Sequence, residues 1–358
     1  MREHSYFYRM ETASDFIADE GSEELYERKA FTVNKGQEPL RIDKFVKMHI
    51  EGATRNKVQN GIDAGFVTVN GKIVKQNYKV KPGDEIVFLS YINPEHTELK
   101  LENIPLNIVY EDDSLMVINK PANMVVHPGV GNFSGTLLNG VAYYLKQQNP
   151  NLDEDALPRF GLVHRIDKNT TGLIVLAKTG EAAAHLAKQF FNHTVSRKYM
   201  ALVWGDVKED EGTITGHIAR HKQHRKMFDV YPEGEIGKHA ITHYRVLERY
   251  NYVTLVECVL ETGRTHQIRV HMKHIGHTLF NDFEYGGDRI LKGTIYTRYK
   301  QFVDNCFETC PRCALHAKTL GFVHPVTGKE MFFESPIPVD MEQVIARWKN
   351  YIGNKNEL

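Results

Sequence analysis

The chain has 358 residues, 41% of them hydrophobic and 25% charged, which is enough apolar material for a large core and for more than one domain. Lys+Arg and Asp+Glu both number 45, so the net charge is zero and argues neither for nor against a polyanionic partner. No run of 18 apolar residues and no apolar N-terminal stretch is present, and four cysteines form no disulfide framework in a chain of this size, so a cytoplasmic protein with reduced thiols is expected.

Residues 1–35 carry eight acidic against five basic side chains and no apolar period, which predicts a tail or a loosely docked N-terminal extension, with Tyr6, Phe7 and Tyr8 as the side chains able to pin it to the body. Residues 36–95 read as a small independent unit. "RIDKFVKMHI" places Ile42, Phe45, Val46 and Ile50 on one helical face. "TRNKVQNGIDAG" is bounded by Thr54, a good N-cap, and Gly65, a good C-cap. In "FVTVNGKIV" an Asn-Gly pair separates two β-rich runs, a strong hairpin signal, and "VKPGDEIVFL" adds a turn and a strand. Lys44, Lys47, Arg55 and Lys57 gather on the helical part. Charge alone would make this a solvated helix surface. The order of features, with Arg41, Asp43, Lys44, Thr54, Arg55, Gly65, Val69, Asn70, Gly71, Gly83 and Asp84 in place, resembles the αL-type RNA-binding module first known from a small-subunit ribosomal protein.

Residues 96–105 read as a linker. Beyond it, β-rich runs such as "LMVINK", "GLIVLAK", "KYMALVWG" and "YVTLVECVLE" outnumber helical stretches, of which "EAAAHLAKQFFN" is the clearest. This predicts an α+β domain on a mixed, largely antiparallel sheet over residues 104–350.

Three polar stretches in that domain stand out. "INKPANMVVHPG" (118–129) ends a strand at Lys120-Pro121 and turns at His127. "GLVHRIDKNTTGLIVLAKT" (161–179) sets Asp167 between Arg165 and Lys168 in a loop before an apolar strand, where a turn-capping aspartate and a catalytic carboxylate are both open readings. In "LETGRTHQIRVHMKHIGH" (260–277), strand alternation would set Arg264, His266, Ile268 and Val270 on one face and Thr265, Gln267, Arg269 and His271 on the other, either as a solvated edge strand or as a phosphate or nucleic-acid groove. Cys306, Cys310, Cys313 and His316 raise a zinc site, but their spacing fits no standard finger, and buried reduced cysteines are expected instead. No GxxxxGKS, GxGxxG, GxSxG or HExxH is present.

The second stretch resembles the signature HRLDxxTSGLLLxAK of the RluA family of RNA pseudouridine synthases. "INKPANMVVHPG", "SRKYMALVWG" and "TGRTHQIRVHMKHIGH" resemble further motifs of that family, in its order, with "IARHKQHRKM" and "HYRVLE" also matching. The departures are Ile166 for Leu, Asn169 for Asp, Thr171 for Ser, Asn281 for Gly in GDxxYG, and Cys313 where the family often has Gln. The resemblance implies a cofactor-free isomerase acting on RNA, with large-subunit (23S) ribosomal RNA or the assembling subunit as partner, no membrane contact and a monomeric state. By the same resemblance Asp167 is the catalytic group, Arg269 its partner, and Tyr199 stacks on the base near the proton lost from carbon 5. Ile268 walls the base pocket, and Arg165 fills the gap left by the flipped base or holds its phosphate. Contacts to RNA are expected from Arg41, Lys44, Arg55 and Lys57 in the small module and from Lys120, Arg220, Lys222, Arg225, Lys226 and Arg264 in the catalytic domain. The rival readings are a catalytically idle RNA-binding factor on the same fold and a zinc-dependent RNA-processing protein.

Overall fold

The computed structural model describes residues 26–50, 55, 58–59, 62, 67–91, 99–129, 132–152, 161–224, 227–232 and 236–356. The chain divides into two compact units, Met1–Glu98 and Leu99–Leu358.

In the first unit, strands β1 (Tyr26–Thr32), β2 (Val67–Val69), β3 (Lys72–Ile73) and β4 (Glu85–Tyr91) form an antiparallel sheet in the order β1-β4-β2-β3, with helix α1 (Ile42–His49) between β1 and β2. Part of the expected extension is therefore a sheet strand: β1 pairs along its whole length with β4, Tyr26 opposite Tyr91 and Thr32 opposite Glu85. Tyr6, Phe7 and Tyr8 lie outside the described residues. Ile42, Phe45, Val46 and Ile50 are buried as their spacing requires, together with Val58 and Ile62 from the second helical segment, whose caps Thr54 and Gly65 are outside the described residues. Asn70 (φ 51°) and Gly71 (φ 74°) make the tight hairpin between β2 and β3. The turn is tied to β4 by Asp84, which accepts hydrogen bonds from Asn70 Nδ2, Tyr78 Oη and the Lys81 N–H.

Asp43 is fully buried on α1 and accepts from Arg41, Arg55 and Gln59. Burial pushes its pKa up, but these three donors outweigh burial and hold it at about 2. The unfolded carboxyl binds its proton near 3.8, so the stability Asp43 contributes is whole above pH 4 and is lost as pH falls towards 2. Asp43→Asn should therefore lower the unit's melting temperature at pH 7, with the difference from wild type closing by about pH 2; calorimetric scans across that range check it.

The second unit is built on a ten-stranded sheet. Its strands are β5 (Ile108–Glu111), β6 (Leu115–Lys120), β7 (Thr171–Ala177), β8 (Ser196–Trp204), β9 (Glu211–Arg220), β10 (Phe228–Tyr231), β11 (Lys238–Arg249), β12 (Val253–Leu260), β13 (Leu315–Val323) and β14 (Glu330–Glu334). The order is β10-β9-β11-β12-β8-β13-β7-β6-β5, with β14 also on β13. Among the described pairs β13 with β7 is parallel, and the others are antiparallel. Helices α2 (Leu137–Gln148), α3 (Gly180–Phe191), α4 (Gln267–His274), α5 (Thr297–Thr309) and α6 (Val339–Asn356) complete it. Residues 99–107, partly within the expected linker, have no regular structure, yet Leu99 and Leu106 pack on the main core and Asn139 Nδ2 on α2 donates to the Lys100 carbonyl.

The central strands are covered on both faces, which is why their sequences are apolar without interruption. On β7, Ile174 and Leu176 enter one cluster while Leu173, Val175 and Ala177 enter another. On β8, Tyr199, Ala201 and Val203 face the first cluster, and Met200, Leu202 and Trp204 join α5 and α6 in a third.

Two glycines bracket the loop that carries Asp167. At Gly161 (φ 73°) a Cβ would lie 1.8 Å from the Ala177 carbonyl oxygen, and at Gly172 (φ 113°) 2.2 Å from that of Ala317. Any side chain at Gly172 would part β7 from β13 at their two parallel pairs, Thr171 with His316 and Gly172 with Ala317. Gly172→Ala should therefore destabilise the protein by at least about 3 kcal/mol in urea unfolding, strain and overpacking together.

Candidate active site

The site is assembled from three chain segments: the 161–172 loop entering β7, the start of α4, and residues 281–287 after it. Asp167 sits in the loop with a fifth of its side chain exposed. The backbone turns beneath it, Thr170 N–H donating to the Asp167 carbonyl. His164 anchors the loop: it accepts from the Val175 N–H at 3.0 Å and stacks on Phe190, and burial pulls its pKa to about 3, so the ring is neutral.

The expected strand around Arg264–His271 is instead helix α4, with His266 in the left-handed conformation (φ 56°) before its first turn. Packing decided this. Ile268 and Met272 stand one helical turn apart and enter the main core, with Ile275 against it, while Val270 enters the cluster under β9, β10 and β11. The buried Gln267 side chain accepts from Thr262 Oγ1 and the Arg264 N–H, and donates to the Ile241 carbonyl and Thr242 Oγ1. Ile268, Met272 and Ile275 were the signal for a helix, masked by the alternation of polar residues between them.

The helix delivers Arg269 into the site. Its Nη1 donates to Asp167 Oδ2 at 3.3 Å, while Nε and Nη2 grip Asp282 at 2.7 Å each and Nη2 also bonds Glu284. The guanidinium lies 4.9 Å from the Tyr285 ring centroid. Burial alone would raise the Asp167 pKa; His266, Arg269 and Arg165 reverse that and bring it below the ordinary carboxylate range. Burial pushes His266 itself down, so at neutral pH Arg269 and Arg165 supply the positive charge. His266 Nδ1 is 2.9 Å from the Tyr285 hydroxyl, which also accepts from the Phe228 N–H, and its Nε2 lies 3.9 Å from Glu284.

Tyr199 and Ile268 belong to the main core cluster, as does Ile166, next to Asp167 in sequence. Burial raises the Tyr199 pKa, so its hydroxyl stays protonated at neutral pH. Arg165 is exposed beside His127, 3.4 Å from its Nε2. Arg220 lies over Phe228, Lys222 over Tyr231, and Arg264 donates to the His239 carbonyl, all on the β9–β11 flank of α4. Arg225, Lys226 and Lys57 lie outside the described residues. In the first unit Lys44 is exposed, whereas Arg41 and Arg55, partly exposed, both hold Asp43.

Lys120 departs from its expected role as an RNA contact. It is fully buried, and its ammonium donates to the carbonyls of Pro121, Met124 and Lys168. Burial pulls its pKa to about 7 against the attraction of Asp167. The side chain fastens the end of β6 to the residue after Asp167, a role a lysine fills only because three carbonyls converge on its three donors.

Asp282, Glu284 and Tyr285 were not among the expected site residues, and His266 was expected only as part of a groove. Asp282 and Tyr285 are the Asp and Tyr of the segment that resembles GDxxYG, in which Asn281 replaces the first Gly. Cys313 is the remaining neighbour: its thiol, pushed well up by burial, donates to Asp282 Oδ2 at 3.4 Å. Cys306 and Cys310 belong to the α5–α6 cluster, and His316 bonds Thr171 Oγ1. Among the described residues no three His, Cys, Asp or Glu side chains gather as a metal site.

Residues 114–274 match the RNA pseudouridylate synthase family, and residues 40–86 match the S4 domain. A Chlorobaculum parvum protein named as an RNA pseudouridine synthase is 47% identical over 318 residues, 88% of this chain and 96% of that one. The chain belongs to the RNA pseudouridine synthase family. Ribosomal large subunit pseudouridine synthase D of Haemophilus influenzae is 39% identical over 320 residues, 89% of this chain and 94% of that one. The human RNA pseudouridylate synthase domain containing 4 structure shares the fold, with a TM-score of 0.52 and 23% identity over 68% of this chain and 93% of that one. The enzyme is an isomerase whose N-terminal unit contains an RNA-binding S4 domain.

The Lys120 anchor predicts that Lys120→Met, which strands three buried carbonyls, lowers unfolding free energy by about 3 kcal/mol. Urea titration of the purified variant checks this, and unchanged stability would contradict the anchoring role.

Proposed function

We propose that this RNA pseudouridine synthase acts on large-subunit ribosomal RNA with Asp167 as its catalytic carboxylate and without a cofactor. The observation that carries the assignment is the Arg269–Asp167 contact, in which a guanidinium fixed by Asp282 aims and ionises the one site carboxylate that projects from the β7 loop. The substrate class rests on relatives named as ribosomal large subunit synthases, joined to an S4 domain in this chain.

The isomerisation breaks the bond between uracil N1 and the ribose anomeric carbon and forms one from carbon 5 to the same carbon. Carbon 5 loses a proton and N1 gains one, so atoms and electrons balance with no redox partner. The target uridine leaves its stack to reach Asp167, at a cost of a few kcal/mol. Arg220, Lys222 and Arg264 offset that cost through phosphate contacts, and Arg165, exposed beside the carboxylate, occupies the vacated position or holds the target's phosphate. Ile268 and Tyr199 wall the base, and Tyr199, protonated at rest, stands at the carbon 5 side.

A turn-capping aspartate and a catalytic one respond differently to substitution. Asp167→Ala and Asp167→Asn should abolish pseudouridine formation in ribosomal RNA transcripts while leaving RNA affinity and melting temperature near wild type. Arg269→Ala should lose most activity, and combining it with Asp167→Ala should add little. Substantial pseudouridine from well-folded Asp167→Ala protein would overturn the assignment.

A further inference from the structure

A cavity of about 330 Å³, within the range of small-ligand sites, opens on the flank of α4 between β9, β10 and β11. Its walls are Thr215, Gly216, His217, Val230, Tyr231, Pro232, His239 and His274, none of which belongs to the Asp167 site. The three rings on the sheet form a continuous row, because Tyr231 pairs with His217 and His217 with His239 across adjacent antiparallel strands. The two imidazoles lie 5.5 Å apart. His274, at the end of α4, also lines the cavity.

Two features ask for a ligand. His217 Nδ1 is buried without a hydrogen-bond partner, an expense in a folded protein unless something else supplies one. A cation stands at the rim, Lys222 Nζ lying 5.6 Å from the Tyr231 ring centroid. β10 touches the active site from its other face, where Phe228 packs against His266 and its N–H donates to Tyr285. Phe228 and Val230 are two residues apart, roughly 7 Å along β10.

We propose that this cavity is a second nucleobase site, which holds an unpaired base of the RNA near the target uridine. Tyr231, His217 and His239 offer stacking surface, the imidazole nitrogens meet the base edge, and Lys222 meets the adjoining phosphate. Gripping a neighbouring base there would hold the strand open while the target is extruded towards Asp167. The inference rests on the proposed action on ribosomal RNA.

The test uses the full chain and a large-subunit ribosomal RNA transcript carrying 4-thiouridine at single positions. Irradiation should cross-link a nucleotide other than the target to His217 or to the Val230–Pro232 segment. Tyr231→Ala combined with His239→Ala should raise the transcript's Kd about tenfold, whereas Tyr231→Phe, which keeps the ring, should bind like wild type. Removing the cross-linked base from the RNA should weaken wild type and leave the double variant unaffected. Absence of a cross-link to these segments, or an unchanged Kd in folded double variant, overturns the second site even if the enzyme makes pseudouridine. Cross-linking and the Kd effect with no pseudouridine in any such transcript would overturn the ribosomal substrate and leave the base site standing.

Discussion

One guanidinium holds the catalytic unit's site together. Arg269 is nearly buried, and a buried cation persists only where anions and hydrogen bonds repay its lost hydration. Asp282 takes two of its five donors, Glu284 a third and Asp167 a fourth, so a single side chain joins α4, the segment after it and the loop before β7. The elements that meet there are held by independent means: Gln267 fixes the start of α4, Lys120 and His164 fix the loop, and the Cys313 thiol braces Asp282. This explains how a loop residue keeps an ionised, aimed carboxylate despite its burial.

The arrangement also separates two uses of positive charge. Lys120 and Arg269 are buried and spend their donors on backbone carbonyls and carboxylates, so they shape the protein. Arg165, Lys222 and Lys44 remain exposed, where they are available to a polyanion. Arg41 and Arg55 do both, each holding the buried Asp43 while staying partly exposed. A chain with zero net charge can in this way bind RNA, because the sign of the local field matters more than the total.

Much was legible from local pattern. The α1 face, the Asn-Gly hairpin, the apolar runs of β6, β7 and β8 and the α3 helix are set by short-range periodicity and turn chemistry, and they stand where the residues indicate. Asp167 was conspicuous as a carboxylate between cations in a loop bounded by glycines, and the motif order named its companions Arg269 and Tyr199. The αL-type module was readable by resemblance, from the order of its residues.

Other features belonged to the tertiary structure. Whether residues 264–274 would be strand or helix depended on which side chains found a core, and Ile268, Met272 and Val270 settled it against the polar alternation. The pairing of β1 with β4 joins residues about sixty positions apart, and nothing in either strand announces the other. Lys120 reads as a surface cation until the carbonyls of Pro121, Met124 and Lys168 are seen to converge on it. Asp282 and Glu284 gain meaning when α4 turns Arg269 towards them. The sequence by itself determined the elements and the chemical groups, because propensity and periodicity act over a few residues. Which charges became structural and which stayed exposed was decided by tertiary packing, because burial and the convergence of distant partners set the cost of each charge.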